Sequence, residues 1–264
     1  PFEWQAELFN YARSIGILIF SSPFDETAID LLESLDAPAY KIASFEFCDI
    51  PLIKYAARLG KPLLMSTGLA SESDIGDALE AARSAGAQDI LLFHCISSYP
   101  TPIEQSNLRN IQYLKSHFDV KVGLSDHTMG TTAAVASIAL GAVAIEKHFT
   151  LDRSLPGPHH SASLEPAELK QMVESIRSVE IILGKSEKIV KGVEASNRES
   201  ARKGLVAGKN ILKGDSFTTH NLAVKRPENG ISPMAYWSLL GSSATRNYKF
   251  NEPILCPEKK NQSS

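Results

Sequence analysis

Through the first 150 residues, short runs of apolar and β-branched side chains alternate with longer stretches of helical apolar spacing. The alternation predicts βαβ units on a parallel sheet, because parallel strands need a long crossover between them. The strand runs are 17–21, 39–43, 62–66, 90–95, 121–124 and 144–148. Among the stretches between them, 71–85 has helical spacing, with Ser71 or Ser73 as its N-cap. Every run ends in polar side chains: Ser21-Ser22, Lys41 with Ser44, Ser66-Thr67, His94 with Ser97, Ser125-Asp126-His127 and Glu146-Lys147-His148. A (β/α)8 barrel builds its active site from such carboxyl ends around a ring, whereas a doubly wound sheet uses one crevice. Polar ends on all six runs favour the ring, so the expected fold class is α/β, a (β/α)8 TIM barrel. Eight strands close a barrel and six are legible, so the first two βα units are expected to be missing from this stretch of sequence.

Helical spacing returns over 165–183 and stops at Gly184, a C-cap residue. Residues 185–200 are polar and lack apolar periodicity, which reads as a linker. Beyond them come short β-type runs at 204–207 and 222–224, turn signals at Lys213-Gly214-Asp215 and Asn229-Gly230, and a helix around 233–240. The expected organisation is a partial barrel over 1–184, a linker over 185–200, and a small mostly-β domain over 201–264 with a frayed tail at 259–264. A domain this small is expected to dock onto something larger.

Of the 264 residues, 43% are hydrophobic and 22% charged, with a net charge of −3. That balance excludes disordered and low-complexity classes and offers no basic surface to nucleic acid or an anionic membrane. The longest apolar stretch, 133–145, is interrupted by Ser137 and Gly141 and is shorter than the ~20 residues of a membrane span. Cys48, Cys95 and Cys256 share no metal-type spacing and form no even framework, so a reducing, cytoplasmic setting is expected. No signal peptide is legible; the chain opens at Pro1 rather than Met, so an upstream segment is expected.

His127 and His148 end successive strand runs, which in a barrel puts both imidazoles on one rim within reach of a single divalent ion. Two neutral imidazoles with open positions suit Mn²⁺, Fe²⁺ or Zn²⁺, any of which polarises a carbonyl oxygen; the alternative is a pair of satisfied surface histidines. Lys41 with Ser44, Ser66, Ser97 and Ser125 makes an anion pocket for phosphate or carboxylate, although serine and lysine are also ordinary loop residues. Glu46 and Tyr99 have the chemistry to contact a polyol. The loop 154–161 is too rich in Pro and Gly for a simple connector and is expected to cover a site. Its adjacent His159 and His160 diverge and cannot both chelate one ion. Arg226 on its own reads as a solvated charge, and Lys61, Lys147 and the cysteines as structural.

The runs Tyr40-Lys41-Ile42-Ala43-Ser44-Phe45-Glu46, Ser66-Thr67-Gly68, His94-Cys95 with Tyr99-Pro100, Ser125-Asp126-His127-Thr128 and Glu146-Lys147-His148-Phe149-Thr150 resemble the sialic acid synthase family. So does Pro156-Gly157-Pro158 leading into Ala162-Ser163-Leu164-Glu165-Pro166, while Lys225-Arg226-Pro227 and Asn229-Gly230-Ile231-Ser232-Pro233 resemble that family's C-terminal antifreeze-like (SAF) domain. The resemblance covers nearly the whole chain. It implies condensation of phosphoenolpyruvate with an N-acylated hexose such as N-acetylmannosamine, giving a nine-carbon 2-keto acid and phosphate. It implies Mn²⁺ or Mg²⁺ on His127 and His148, and a homodimer in which each SAF domain covers the partner's barrel. Lys41, Ser44, Ser66, Ser125 and Ser22 would bind phosphoenolpyruvate, with Ser97 where relatives often carry another small polar residue. Glu46 and Tyr99 would meet the sugar, and Arg226 would hold its N-acyl group in the partner's site.

Two departures stand out. His159 replaces an Asp usual in relatives, so a sugar-contacting carboxylate is lost or its task passes to His159 or His160. The family's first two βα units supply a catalytic Glu and a phosphoenolpyruvate-binding Lys; without them this stretch is expected to be an incomplete barrel of little activity. Trp4-Gln5, the 21–25 run and the 43–46 run lean toward pseudaminic acid synthases, whereas the Pro-Gly-Pro loop, 162–166 and 225–227 lean toward N-acetylneuraminate synthases. The second group lies nearer the sugar, which favours N-acetylneuraminate over pseudaminic or legionaminic acid. Competing readings are a generic barrel aldolase or a 3-deoxy-2-keto acid synthase for phosphorylated sugars, which would need a second basic clamp, and a sugar-binding or assembly protein that has lost catalysis.

Overall fold

Five of the six strand runs form one parallel sheet in the computed structural model, which describes residues 2–255. They are β1 (Tyr40–Ile42), β2 (Leu63–Ser66), β3 (Ile90–Cys95), β4 (Lys121–Asp126) and β5 (Ile145–Lys147), lying side by side in sequence order. Each neighbouring pair is parallel, from Tyr40 opposite Leu63 to Asp126 opposite Lys147. Unreversed order is that of a barrel wall; a doubly wound sheet would change direction at a switch point. The described residues therefore hold a five-stranded arc of such a wall rather than a closed ring of eight.

The crossovers are helices: α1 (Phe2–Ser14) and α2 (Glu26–Ser34) before β1, then α3 (Ile50–Arg58), α4 (Glu72–Ser84), α5 (Asn110–Phe118) and α6 (Thr132–Ala139), with α7 (Pro166–Leu183) after β5. Their starts are written in side chains. Asp25 caps α2 by accepting from the Ala28 N–H at 2.9 Å, and Asp49 caps α3 through Leu52 N–H at 3.0 Å. In α4 the choice between Ser71 and Ser73 falls to Ser71, whose hydroxyl and the Asp74 carboxylate cap each other's backbone N–H at 3.2 and 2.8 Å. Such boxes contribute about 1 kcal/mol each. Tyr40, Ile42, Leu63, Met65 and Leu92 of the strands are fully buried against Ile29, Ile53, Leu79 and Ile111 of the helices, so the strands read as continuous apolar runs.

The sixth run, 17–21, does not join the sheet. One backbone bond, from Lys41 N–H to the Ser21 carbonyl at 3.4 Å, ties it to β1, and Leu18 is 81% exposed. Its composition is that of a strand, but a strand is defined by repeated bonds to a neighbour, and one long bond sets no register.

The chain divides into Pro1–Lys185 and Ser186–Ser264. In the second unit β6 (Gly204–Ala207) and β7 (Leu222–Lys225) pair antiparallel over a core of Leu205, Ile211, Phe217, Leu222, Tyr248 and Ile254. The span expected as a linker carries a helix, α8 (Ala195–Ala201); it has no apolar stripe from which sequence could detect it. The helix expected near 233–240 is a 3-10 turn, Pro233–Ala235, leading into α9 (Tyr236–Leu239). Cys256 and the 259–264 tail lie outside the described residues. Among the described residues no helix is long and apolar enough to cross a membrane.

Candidate functional site

The carboxyl ends of β1 to β5 open into a cleft of about 360 Å³. Strand register decides what faces it: Cys95 stands opposite Ser125, and Ser125 opposite Glu146, so three polar side chains form one row. Lys41, 6% exposed, reaches into that row from β1. Its Nζ donates to Ser66 Oγ at 2.6 Å and pairs with Glu146 Oε2 at 3.3 Å. Ser125 Oγ donates to the other Glu146 oxygen at 2.7 Å. Beside this group, Ser44 Oγ accepts the Gly68 N–H at 3.2 Å and donates to Cys95 Sγ at 3.5 Å. A buried ammonium ringed by hydroxyls has the chemistry of an anion site.

The second cluster is aromatic. Asp126 and Lys147 are register partners, and their side chains meet at 2.7 Å in a buried ion pair. The residue after each, His127 and His148, lines the cleft, with ring centroids 5.2 Å apart. Tyr99 lies 4.3 Å from the His127 ring and edge-on to His148 at 5.6 Å. The Ile96 carbonyl, 2.9 Å from His127 Nδ1, can only accept, so Nδ1 carries a proton and Nε2 is the nitrogen available to a ligand. That is how protein ligands are prepared for a metal.

Burial works against the charge of both His127 and Cys95, which stand 3.9 Å apart. For each it is the largest single effect, and several smaller ones together outweigh it. The hydrogen bonds to Cys95 and the Ile96 carbonyl, with the nearby Cys95 and Glu146 charges, raise His127; the hydrogen bonds to His127 and Ser44, with the His127 charge, lower the Cys95 thiol. Burial, together with the charges of His127 and His159, lowers His148, which keeps it neutral and able to ligate. The pair fits a cation whose remaining positions come from water or substrate oxygens; among the described residues no group of three or more His, Cys, Asp or Glu is placed to hold a metal ion.

Of the residues picked from sequence, Lys41, Ser44, Ser66, Ser125, Ser22, Tyr99, His127 and His148 line this one cleft. Ser97 and Glu46 are not among the lining residues; Ser97 Oγ lies beside Ser44 Oγ at Gly68, and Ser97 Oγ and Glu46 Oε2 are both buried without a hydrogen-bond partner, which such atoms call for. His159 stacks on His148 at 5.1 Å and 22°, while His160 turns away to share a 2.7 Å hydrogen bond with Thr150, as adjacency requires. Arg226 follows β7 in the second unit and is exposed. His94 faces the other side of its strand and donates to the Ser106 carbonyl at 2.8 Å.

Two site residues escaped the sequence reading. Cys95, taken as structural, is part of the cleft wall, and Glu146, noted only as a flank of His148, is the partner of both Lys41 and Ser125. The alternation of β5 held the signal for Glu146, since residues 146 and 148 share one face. Lys147, also expected to be structural, borders the cleft while its ammonium is held in the buried pair with Asp126.

The chain is 44% identical over 250 residues to N,N'-diacetyllegionaminic acid synthase of Campylobacter jejuni, covering 94% of this chain and 75% of that one. Against pseudaminic acid synthase of Helicobacter pylori it is 41% identical over 254 residues, covering 96% and 75%. The crystal structure of N-acetylneuraminic acid synthetase from Leptospira borgpetersenii superposes with a TM-score of 0.71 at 34% identity, over 75% of this chain and 69% of that one. Residues 1–188, which hold the whole cleft, match the NeuB family, and the chain belongs to that family.

Proposed function

We propose that this protein condenses phosphoenolpyruvate with an N-acylated hexose to a nine-carbon 2-keto acid and phosphate. The observation that carries this reading is the buried Lys41 ammonium, with Ser66 and Ser44 about it, in one cleft with the His127–His148 pair. Lys41, Ser44, Ser66 and Ser125, with Ser22 and Ser97, hold the carboxylate and phosphate, which the ammonium neutralises in a site shielded from water. Glu46, Tyr99 and His159 take the sugar hydroxyls, Glu46 through its unpartnered Oε2. His127 and His148 hold Mn²⁺ or Mg²⁺, which when bound polarises the aldehyde oxygen of the open-chain sugar. C3 of phosphoenolpyruvate bonds to that aldehyde carbon, water adds at C2, and phosphate leaves. The second unit is read as an SAF domain that carries Arg226 to the N-acyl group in the partner's cleft of a homodimer.

The motifs around the sugar favour N-acetylmannosamine; the similarity to proteins named for legionaminic and pseudaminic acids supports 2,4-diacetamido sugars as the second reading. The test is phosphate release from phosphoenolpyruvate by the whole protein that carries this sequence, with each sugar in turn. Release with one sugar, lost in EDTA and restored by Mn²⁺, is expected. Absence of release with all of them from a folded protein would leave a sugar-binding role.

Gly68 gives a sharper test of the anion site. A Cβ there would lie 2.7 Å from Ser44 Oγ and collide with Ser97 Oγ. Gly68→Ala is expected to raise KM for phosphoenolpyruvate about tenfold, the effect of about 1.4 kcal/mol, and to leave the sugar's KM nearly unchanged. Unaltered phosphoenolpyruvate kinetics would place the anion elsewhere.

A further inference from the structure

Glu146 is the carboxylate at the Lys41 end of the cleft, where its charge opposes the anion that the cleft is read to bind. Its two oxygens are both engaged, Oε1 by Ser125 at 2.7 Å and Oε2 by Lys41 at 3.3 Å. The hydroxyl and the ammonium are two of the groups an incoming anion would use. Lys41 is held almost out of solvent, its side chain 8% exposed, whereas the Glu146 side chain is 40% exposed and so has room to leave. An ammonium buried that deeply needs a counter-charge at all times.

We infer that Glu146 is a resident counter-ion for Lys41, displaced by the anionic substrate and thereby setting how strongly charged a ligand must be to enter. The inference rests on reading the cleft as a phosphoenolpyruvate site. Displacement has a definite sequence: the Lys41–Glu146 contact opens, the substrate's carboxylate or phosphate takes the ammonium and the Ser125 hydroxyl, and Glu146 turns toward water. A ligand of several charges recovers what the broken pair cost through further contacts at Ser44 and Ser66. A monoanion does not, so the pair discriminates against small metabolite acids in general. Glu146 acts here as a specificity-determining residue.

The test is calorimetric binding of phosphoenolpyruvate and, separately, pyruvate to the whole protein and to Glu146→Gln, which keeps the size and an acceptor for Ser125. Each is measured in EDTA and again with Mn²⁺. The variant is expected to melt lower when empty, to bind phosphoenolpyruvate about fivefold or more tightly, and to acquire measurable affinity for pyruvate. Glu146→Asp, which keeps the charge but retreats by one methylene, is expected to fall between and serves if the glutamine variant does not fold. Equal or weaker binding by both variants, with wild-type binding intact, overturns the counter-ion role alone. A gain seen only with Mn²⁺ overturns it too, since the carboxylate would then act on the metal. No binding of phosphoenolpyruvate to wild type or variants overturns both this inference and the reading of the cleft.

Discussion

Replacing His127 with alanine is expected to lower kcat/KM for phosphate release by on the order of 10³, about 4 kcal/mol of transition-state stabilisation. Two imidazoles face the cleft, and His127 is the one whose tautomer is fixed, its Nδ1–H held by the Ile96 carbonyl at 2.9 Å. Losing it would remove one of the two imidazoles proposed to hold the cation, and it removes a wall of the Tyr99–His148 cluster. The matching loss in binding is measured by Mn²⁺ titration in the absence of substrate, which reports on the site without turnover. Circular dichroism is expected to stay unchanged, because the ring's partners are a carbonyl and a thiol that tolerate its removal. A variant that keeps activity within tenfold of wild type would remove His127 from the chemistry.

The largest effect on stability is expected at Asp126. Its side chain is 1% exposed and that of Lys147 3%, and the pair meets at 2.7 Å. Asp126 also accepts from the Thr128 backbone N–H and hydroxyl at 2.8 Å each, while Lys147 donates to the Thr128 carbonyl. Asp126→Ala leaves a buried ammonium without its counter-charge, and the unfolding free energy is expected to fall by about 3–5 kcal/mol. Urea denaturation gives the number. Substituting both partners, Asp126→Leu with Lys147→Met, is expected to recover only part of it, since the apolar pair removes the unpaired charge but leaves the buried Thr128 N–H, hydroxyl and carbonyl without these partners. The two imidazoles follow these residues directly in sequence, so Mn²⁺ affinity is expected to drop with Asp126→Ala even where the protein remains folded. A single variant as stable as wild type would show that the pair contributes little and that the histidines are positioned by other contacts.

Fold and site were legible to different degrees. The five paired strands were readable because parallel strands are buried on both faces and show as apolar runs between helical periods. The 17–21 run has the same composition and fails as a strand, because pairing depends on a neighbour that composition does not describe. Lys41, Ser66, Ser125, His127 and His148 were found because each sits at a strand end, where the fold class alone says chemistry collects. Glu146 and Cys95 were missed as site residues because their roles come from what lies across the sheet: Lys41 on β1 for one, the His127 ring for the other.

The sequence by itself determined the βαβ order, a helix start at Ser71 or Ser73, and the polar rim of the strand ends, since these depend on local periodicity and capping within a few residues. Only the tertiary structure decided which rim residues share partners. Contacts such as Lys41 with Glu146, 105 positions apart in the chain, are set by strand register and by burial, which forces each charge to find its opposite across the sheet.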